Sequence, residues 1–183
     1  MSHRPNPASS DHSAPLCDIA EDPGQMWNLT FRLDVEDGWP PVGAECIPCE
    51  RLDRGYKVLA SPHFIKDLSV DDVIEVVEED NDQVFSWRHL ERSMRSTLWV
   101  MVLEKASVEN EMRRLKLRHC RVSHLEAFDL YAIDIPPDLS EEEVDDCFSG
   151  SDPEKVVLAY PSWRCGADAA QPGVPADGSA SAP

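Results

Sequence analysis

The segment Thr97 to Leu103, TLWVMVL, carries large apolar side chains on both faces of an extended chain, and it constrains the fold more than any other stretch. A strand of that composition belongs in the middle of a sheet. The segments after it set the topology. Ser107 reads as the cap of a helix running to about His119, with Val108, Met112 and Leu115 on one face and Arg114, Arg118 and Arg121 on another. Arg121 to His124 and Ala127 to Ile135 read as a short and a long strand about a turn, and Pro136-Pro137 stops the second. Ser140-Glu141-Glu142-Glu143 is a capping box whose further acids suit the positive end of a helix dipole, and Val144, Cys147 and Phe148 form that helix's buried stripe. Lys155 to Tyr160 supplies a last strand. Strand, helix, strand, strand, helix, strand is the ferredoxin-like order, expected here over residues 96–164.

Residues 26–95 have a different rhythm. Trp27, Leu29, Phe31, Leu33 and Val35 alternate with polar residues, the period of a strand with one buried face. A second strand is expected from about Val42 to Leu52, with Pro48 marking it as an edge or bulged strand. Tyr56 to Ser61, a strand within Leu68 to Val77, and Val84 to Glu91 come next at close spacing, which points to a small, strongly bent sheet or partial barrel. The fold class is therefore α+β, a β-rich half followed by a ferredoxin-like half on a shared core. Residues 1–25 and 166–183 hold almost no large apolar side chains and read as disordered tails, because they cannot bury enough surface to offset their ordering entropy.

No apolar run approaches the roughly 20 residues that cross a bilayer, and the start lacks the basic and apolar regions of a secretion signal, so a cytoplasmic protein with reduced thiols is expected. With 35 acidic against 17 basic residues the formal charge is −18. That field repels phosphate backbones and anionic headgroups, which argues against nucleic acid or membrane as partners and favours a basic protein.

Catalytic and metal-binding patterns are sparse. Cys46-Ile47-Pro48-Cys49 has no second Cys-x-x-Cys to complete a zinc site, and it falls inside an expected strand rather than at a helix start, where a redox pair would sit. Reduced structural cysteines are the simpler reading, with no metal and no cofactor. Ser93, Ser96 and Thr97 with His89 or His63 could form a triad only if the fold converged them, since no nucleophile elbow, phosphate loop or zinc helix is present. The acidic runs read as solvated faces, and Arg113, Arg114, Lys116, Arg118 and Arg121 form the one concentrated basic patch. Trp39, held between Gly38 and Pro40-Pro41, suits either a lid over the open end of a bent sheet or a rigid contact anchor.

Four blocks in order, DGWPPVGAE, SPHFIKDLSVDDVIEV, ERSMRSTLWVMVL and LYAIDIPPDLS, resemble the bacterial DUF4265 family over about Asn28 to Trp163. The family's Gly-Trp-Pro-Pro block with a glutamate soon after is matched by Gly38 to Pro41 and Glu45. Its Pro-Phe pair and Gly-Asp turn are matched by Pro62, Phe64 and Asp72, with Asp71 where the glycine usually falls. Its Ser-Gly-His-Ser-Thr block stands here as Ser93-Met94-Arg95-Ser96-Thr97, a departure that would remove any chemistry carried by the glycine and histidine. The resemblance implies a fold and a bacterial cytosolic setting, and it supplies no activity.

Two functional readings are open to such a chain. The first is a non-enzymatic module whose acidic surface and Trp39 turn engage a basic protein, as an inhibitor or immunity-like partner would. The second is a small-ligand sensor or modest enzyme with a pocket between the halves lined by Trp39, Glu45, His63, Asp72, Arg95, Ser96 and Thr97, which requires those side chains to converge. The sequence does not define the oligomeric state.

Overall fold

The computed structural model describes residues 24–80 and 83–164. The expected tails, with Cys17 and Cys165, lie outside this range apart from Gly24 and Gln25, which hydrogen-bond to Arg51 and so prolong the first ladder. The front half is built from β1 (Met26–Arg32), β2 (Ala44–Arg51), β3 (Tyr56–Val58), β4 (Val73–Asp80) and β5 (Gln83–Glu91), and these close into a barrel. Closure comes from a short parallel pairing of β1 with β5, Thr30 opposite Gln83 and Phe31 opposite Val84. The expected bent sheet thus has no free edge, which removes the template for unwanted strand pairing.

Pro48 sits in β2 between two neighbours, and the β1 to β2 register runs without interruption from Met26↔Glu50 to Arg32↔Ala44. It therefore marks neither an edge nor a bulge. Its carbonyl accepts from Leu59 N at 3.0 Å, just past the end of β3, so the missing N–H falls where the neighbouring strand has already run out. The bulges lie instead between β4 and β5, with register shifts at Val73/Ile74, Val76/Glu78 and Glu78/Glu79. They bend the longest hairpin around the barrel.

The rear half is β6 (Ser96–Val102), α1 (Glu109–Leu117), β7 (Arg121–Leu125), a single 3₁₀ turn at Glu126–Phe128, β8 (Leu130–Ile135), α2 (Glu141–Phe148) and β9 (Val156–Ser162). Its antiparallel sheet has the order β7-β8-β6-β9, the ferredoxin-like arrangement. Ser140 caps α2 as expected, accepting from Glu143 N while the Glu143 carboxylate accepts from Ser140 N. Ser107 does not cap α1. That helix starts two residues later from Val108, with no side-chain cap, because Val108 is drawn into the core, and Glu109 and Glu111 face the positive dipole end instead.

The apolar sides of β6 face different partners. Leu98, Val100 and Val102 pack with Met112, Leu115, Val144 and Phe148 beneath the helices. Trp99 faces away from them and packs with Phe64, Leu130 and Ala132. A separate cluster, including Leu29, Phe31, Ile47, Val58 and Ile74, fills the barrel. The interior is thus two cores joined by a small aromatic one rather than the single shared core expected. The sheet lies between the helices and the barrel, and the connection from β3 to β4 makes the contact: Trp99 Nε1 donates to Pro62 O at 2.7 Å and Thr97 Oγ1 to Leu68 O at 3.2 Å.

Candidate functional site

The junction between barrel and sheet holds most of the residues that the sequence marks for chemistry, and it divides them into separate clusters. Asp72 is the hub of the first. Fully buried just before β4, it accepts from Ser69 N at 2.8 Å, Ser93 N at 2.7 Å, His89 Nε2 at 3.2 Å and both terminal nitrogens of Arg164. Burial alone would raise its pKa, but the hydrogen bonds from His89, Arg164 and Ser93 and the charge of Arg164 outweigh it and hold the carboxyl at about 2. Asp71 has φ 67°, a left-handed backbone that aspartate tolerates, and its carboxylate lies 3.2 Å from Lys57 Nζ.

Beside this hub runs a chain of buried hydroxyls. Ser69 Oγ donates to Ser162 Oγ at 2.9 Å and lies 3.1 Å from Thr97 Oγ1, while Ser96 Oγ accepts from Arg164 N at 2.7 Å. Residues 69, 72, 93, 96, 97, 162 and 164 therefore stitch the two halves together. Ser96 and Thr97 act here as structural partners, and His89 directs its Nε2 at the Asp72 carboxylate rather than at a hydroxyl. The triad that could be written from sequence gives way to this arrangement.

Glu45 and His63 make a second cluster. Glu45 Oε1 accepts from His63 N at 2.6 Å and Oε2 from Phe64 N at 2.9 Å, with His63 Nδ1 3.5 Å from Oε1. Both carboxylate oxygens thus cap the backbone that carries Phe64. Phe64 in turn packs edge-on against Phe128 and against Trp39, whose ring centroid is 5.6 Å away. Trp39 is presented by a tight turn in which Glu36 and Trp39 exchange backbone hydrogen bonds, with Asp37 and Gly38 at positive φ. At 39% exposure it is absent from the barrel and sub-helix cores and flanks the small aromatic cluster through Phe64, on the wall of a groove beside Arg32 and Lys66. The lid reading is overturned, because Ile47, Val84 and their neighbours fill the barrel without it.

Arg95 belongs to a third cluster. Its Nε and Nη2 each donate at 2.6 Å to the buried Asp134 of β8, whose Oδ2 also accepts from Arg121 Nε at 2.6 Å. The seven candidate residues therefore do not line one concave site. Sequence reading missed two of the partners that pull them apart, Arg164 and Asp134, and cast the third, His89, as a triad base, since nothing in local spacing links positions so distant along the chain. Cys46 and Cys49 also separate: strand alternation leaves Cys46 exposed and Cys49 buried, and burial together with the Cys46 charge pushes the Cys49 thiol up to about 12.

One outward face of the barrel is unlike the rest. Val77 and Phe85, at the β4 to β5 bulges, are 57% and 40% exposed, with Glu75, Glu78, Glu79 and Asp80 along the same hairpin. The Arg32 guanidinium lies over the Phe85 ring at 5.0 Å. Among the described residues no helix is long and apolar enough to cross a membrane.

A closed five-stranded barrel docked on a ferredoxin-like sheet defines the class as α+β. The chain belongs to the DUF4265 family, described as a domain of unknown function, whose model matches residues 45–157. Among solved structures it is similar to a hypothetical protein from Neisseria gonorrhoeae, with a TM-score of 0.56 and 10% identity, covering 75% of this chain and 96% of that one. That likeness concerns the fold alone. No match is found among curated proteins.

Proposed function

We propose that the protein is a non-catalytic binding module of the bacterial cytoplasm that engages a basic protein partner through the acidic, apolar-tipped face of β4 and β5. An inhibitor or immunity-like role toward a basic toxin is one concrete form. The observation that carries this reading is the exposure of Val77 and Phe85 at bulges inside a carboxylate-rich hairpin. Bulges re-aim side chains, and two apolar tips on a hairpin whose β4 strand also carries Glu78, Glu79 and Asp80, with Glu75 paired to Arg88, offer a contact patch for a cationic surface. The formal charge of −18 extends that complementarity to long range. The junction supports it from the other side: Asp72 is held as an anion by backbone donors and Arg164, with its carboxyl lowered to about 2, so it is not poised to exchange protons with a substrate near neutral pH.

Affinity capture from the native host tests the reading. The wild type is expected to retain a basic protein at about 50 mM salt and release it at about 0.5 M. A folded Val77→Ser/Phe85→Ser variant is expected to lose it, whereas Leu117→Ser, a change at an exposed position on α1, keeps it. Retention by the double variant, or a partner without basic character, would refute the proposal. The pocket reading does not survive in its original form, because its seven residues fall into separate clusters.

A further inference from the structure

We propose that a cavity between the barrel and the sheet binds a small aliphatic carboxylate. The cavity measures about 140 Å³ and has Leu59, Ser61 and Val70 on the barrel side and Arg121, Val122 and Ala132 on the sheet side. Ser61 is only 7% exposed, and its hydroxyl has no hydrogen-bond partner. A buried hydroxyl left in that state is costly, which marks it as a group waiting for an acceptor or donor from outside the chain.

Charge selects the kind of ligand. Asp134, at the cavity wall, carries one negative charge and receives two guanidiniums, Arg95 through two hydrogen bonds and Arg121 through Nε. The triad is therefore one positive charge in excess, in a protein whose formal net charge is −18. Arg121 commits only Nε to Asp134 and makes no other hydrogen bond among the described residues, so its terminal nitrogens are available to an anion. An arginine fork fits a carboxylate well, and a serine hydroxyl can donate to the same group. The remaining wall is aliphatic, from Leu59, Val70, Val122 and Ala132. It would leave a tetrahedral dianion such as phosphate without partners for most of its oxygens, whereas it matches a short hydrocarbon body. A volume near that of an engineered benzene-sized cavity accommodates about four to six non-hydrogen atoms. Because the walls come from both halves, an occupied cavity would brace the junction.

The probe is sodium butyrate, titrated into the isotopically labelled full chain against sodium chloride at equal ionic strength, with amide shifts and the thermal midpoint as readouts. Butyrate is expected to give saturable shifts at Ser61, Val70 and Val122 and to raise the midpoint. Arg121→Gln should weaken binding about tenfold or more through loss of a charge-assisted contact. Ser61→Val should abolish the saturable response yet keep or raise the midpoint without ligand, because it removes an unpartnered hydroxyl. A cavity holding only water would give no saturable response, and that result overturns the proposal. So would equal responses in the wild type and both variants, or saturation by inorganic phosphate and not by butyrate.

Discussion

Asp72→Asn isolates the electrostatic core of the junction. In the folded protein the Asp72 carboxyl is lowered from 3.8 to about 2, which corresponds to about 2.5 kcal/mol of stability at neutral pH. Since the folded-state value is depressed, that contribution is fully present above about pH 4 and is lost as the pH falls through about 2. Asparagine cannot contribute it at any pH. The variant also leaves Arg164 with only the more distant Asp67 carboxylate at 3.8 Å, so its total destabilisation near pH 7 should be larger, about 3 to 5 kcal/mol, as when one partner of a buried pair is removed. Urea denaturation followed by tryptophan fluorescence from pH 7 to pH 2 gives both numbers. The other carboxylates titrate in both proteins and cancel in the difference. The wild-type minus variant difference should therefore shrink by about 2 kcal/mol between about pH 4.5 and pH 2 and by the remainder below pH 2. A difference that stays constant across that range would show that Asp72 is not held as an anion by His89, Arg164 and the Ser93 amide, and the junction would need another explanation.

Glu45→Gln places an amide group against the backbone donors of His63 and Phe64 and should cost about 2 kcal/mol in urea denaturation, with a change in Trp39 emission as the aromatic stack loosens. Gly55→Ala should destabilise by about 2 kcal/mol or more, because φ is +77° and the new Cβ would stand 2.2 Å from the Ile74 carbonyl oxygen, a backbone atom that cannot swing aside. Among the described cysteines, Cys46 should react with an aromatic disulfide reagent at neutral pH, while Cys49 and Cys120, both pushed up to about 12 chiefly by burial, should react only after denaturant is added.

The sequence made local patterns legible because local patterns have local causes. TLWVMVL announced a strand in need of cover on both faces, and the helices and the barrel supply that cover. The Ser140 capping box acts within four residues and was readable as such. Pro48 misled because its effect depends on where β3 ends, a fact about the neighbouring strand and not about β2. Trp39 misled for a similar reason: rigidity from flanking prolines was visible, but the direction it faces is set by Phe64, far along the chain. Glu45, Asp72 and Ser96 were singled out from sequence as lining one pocket. Their hydrogen-bond partners, however, are up to 92 positions away, so nothing in sequence separated structural use from chemical use. Val77 and Phe85 looked like ordinary strand residues, and only the bulges turn them outward.

The binding reading meets its most direct test in a photo-crosslinking phenylalanine analogue placed at position 85 in the native host, with position 117 as control. If β4 and β5 form the docking face, position 85 yields a crosslink to one basic protein that weakens with salt, and position 117 does not. A crosslink at 117 and none at 85, or capture at 85 of proteins without basic character, would contradict it.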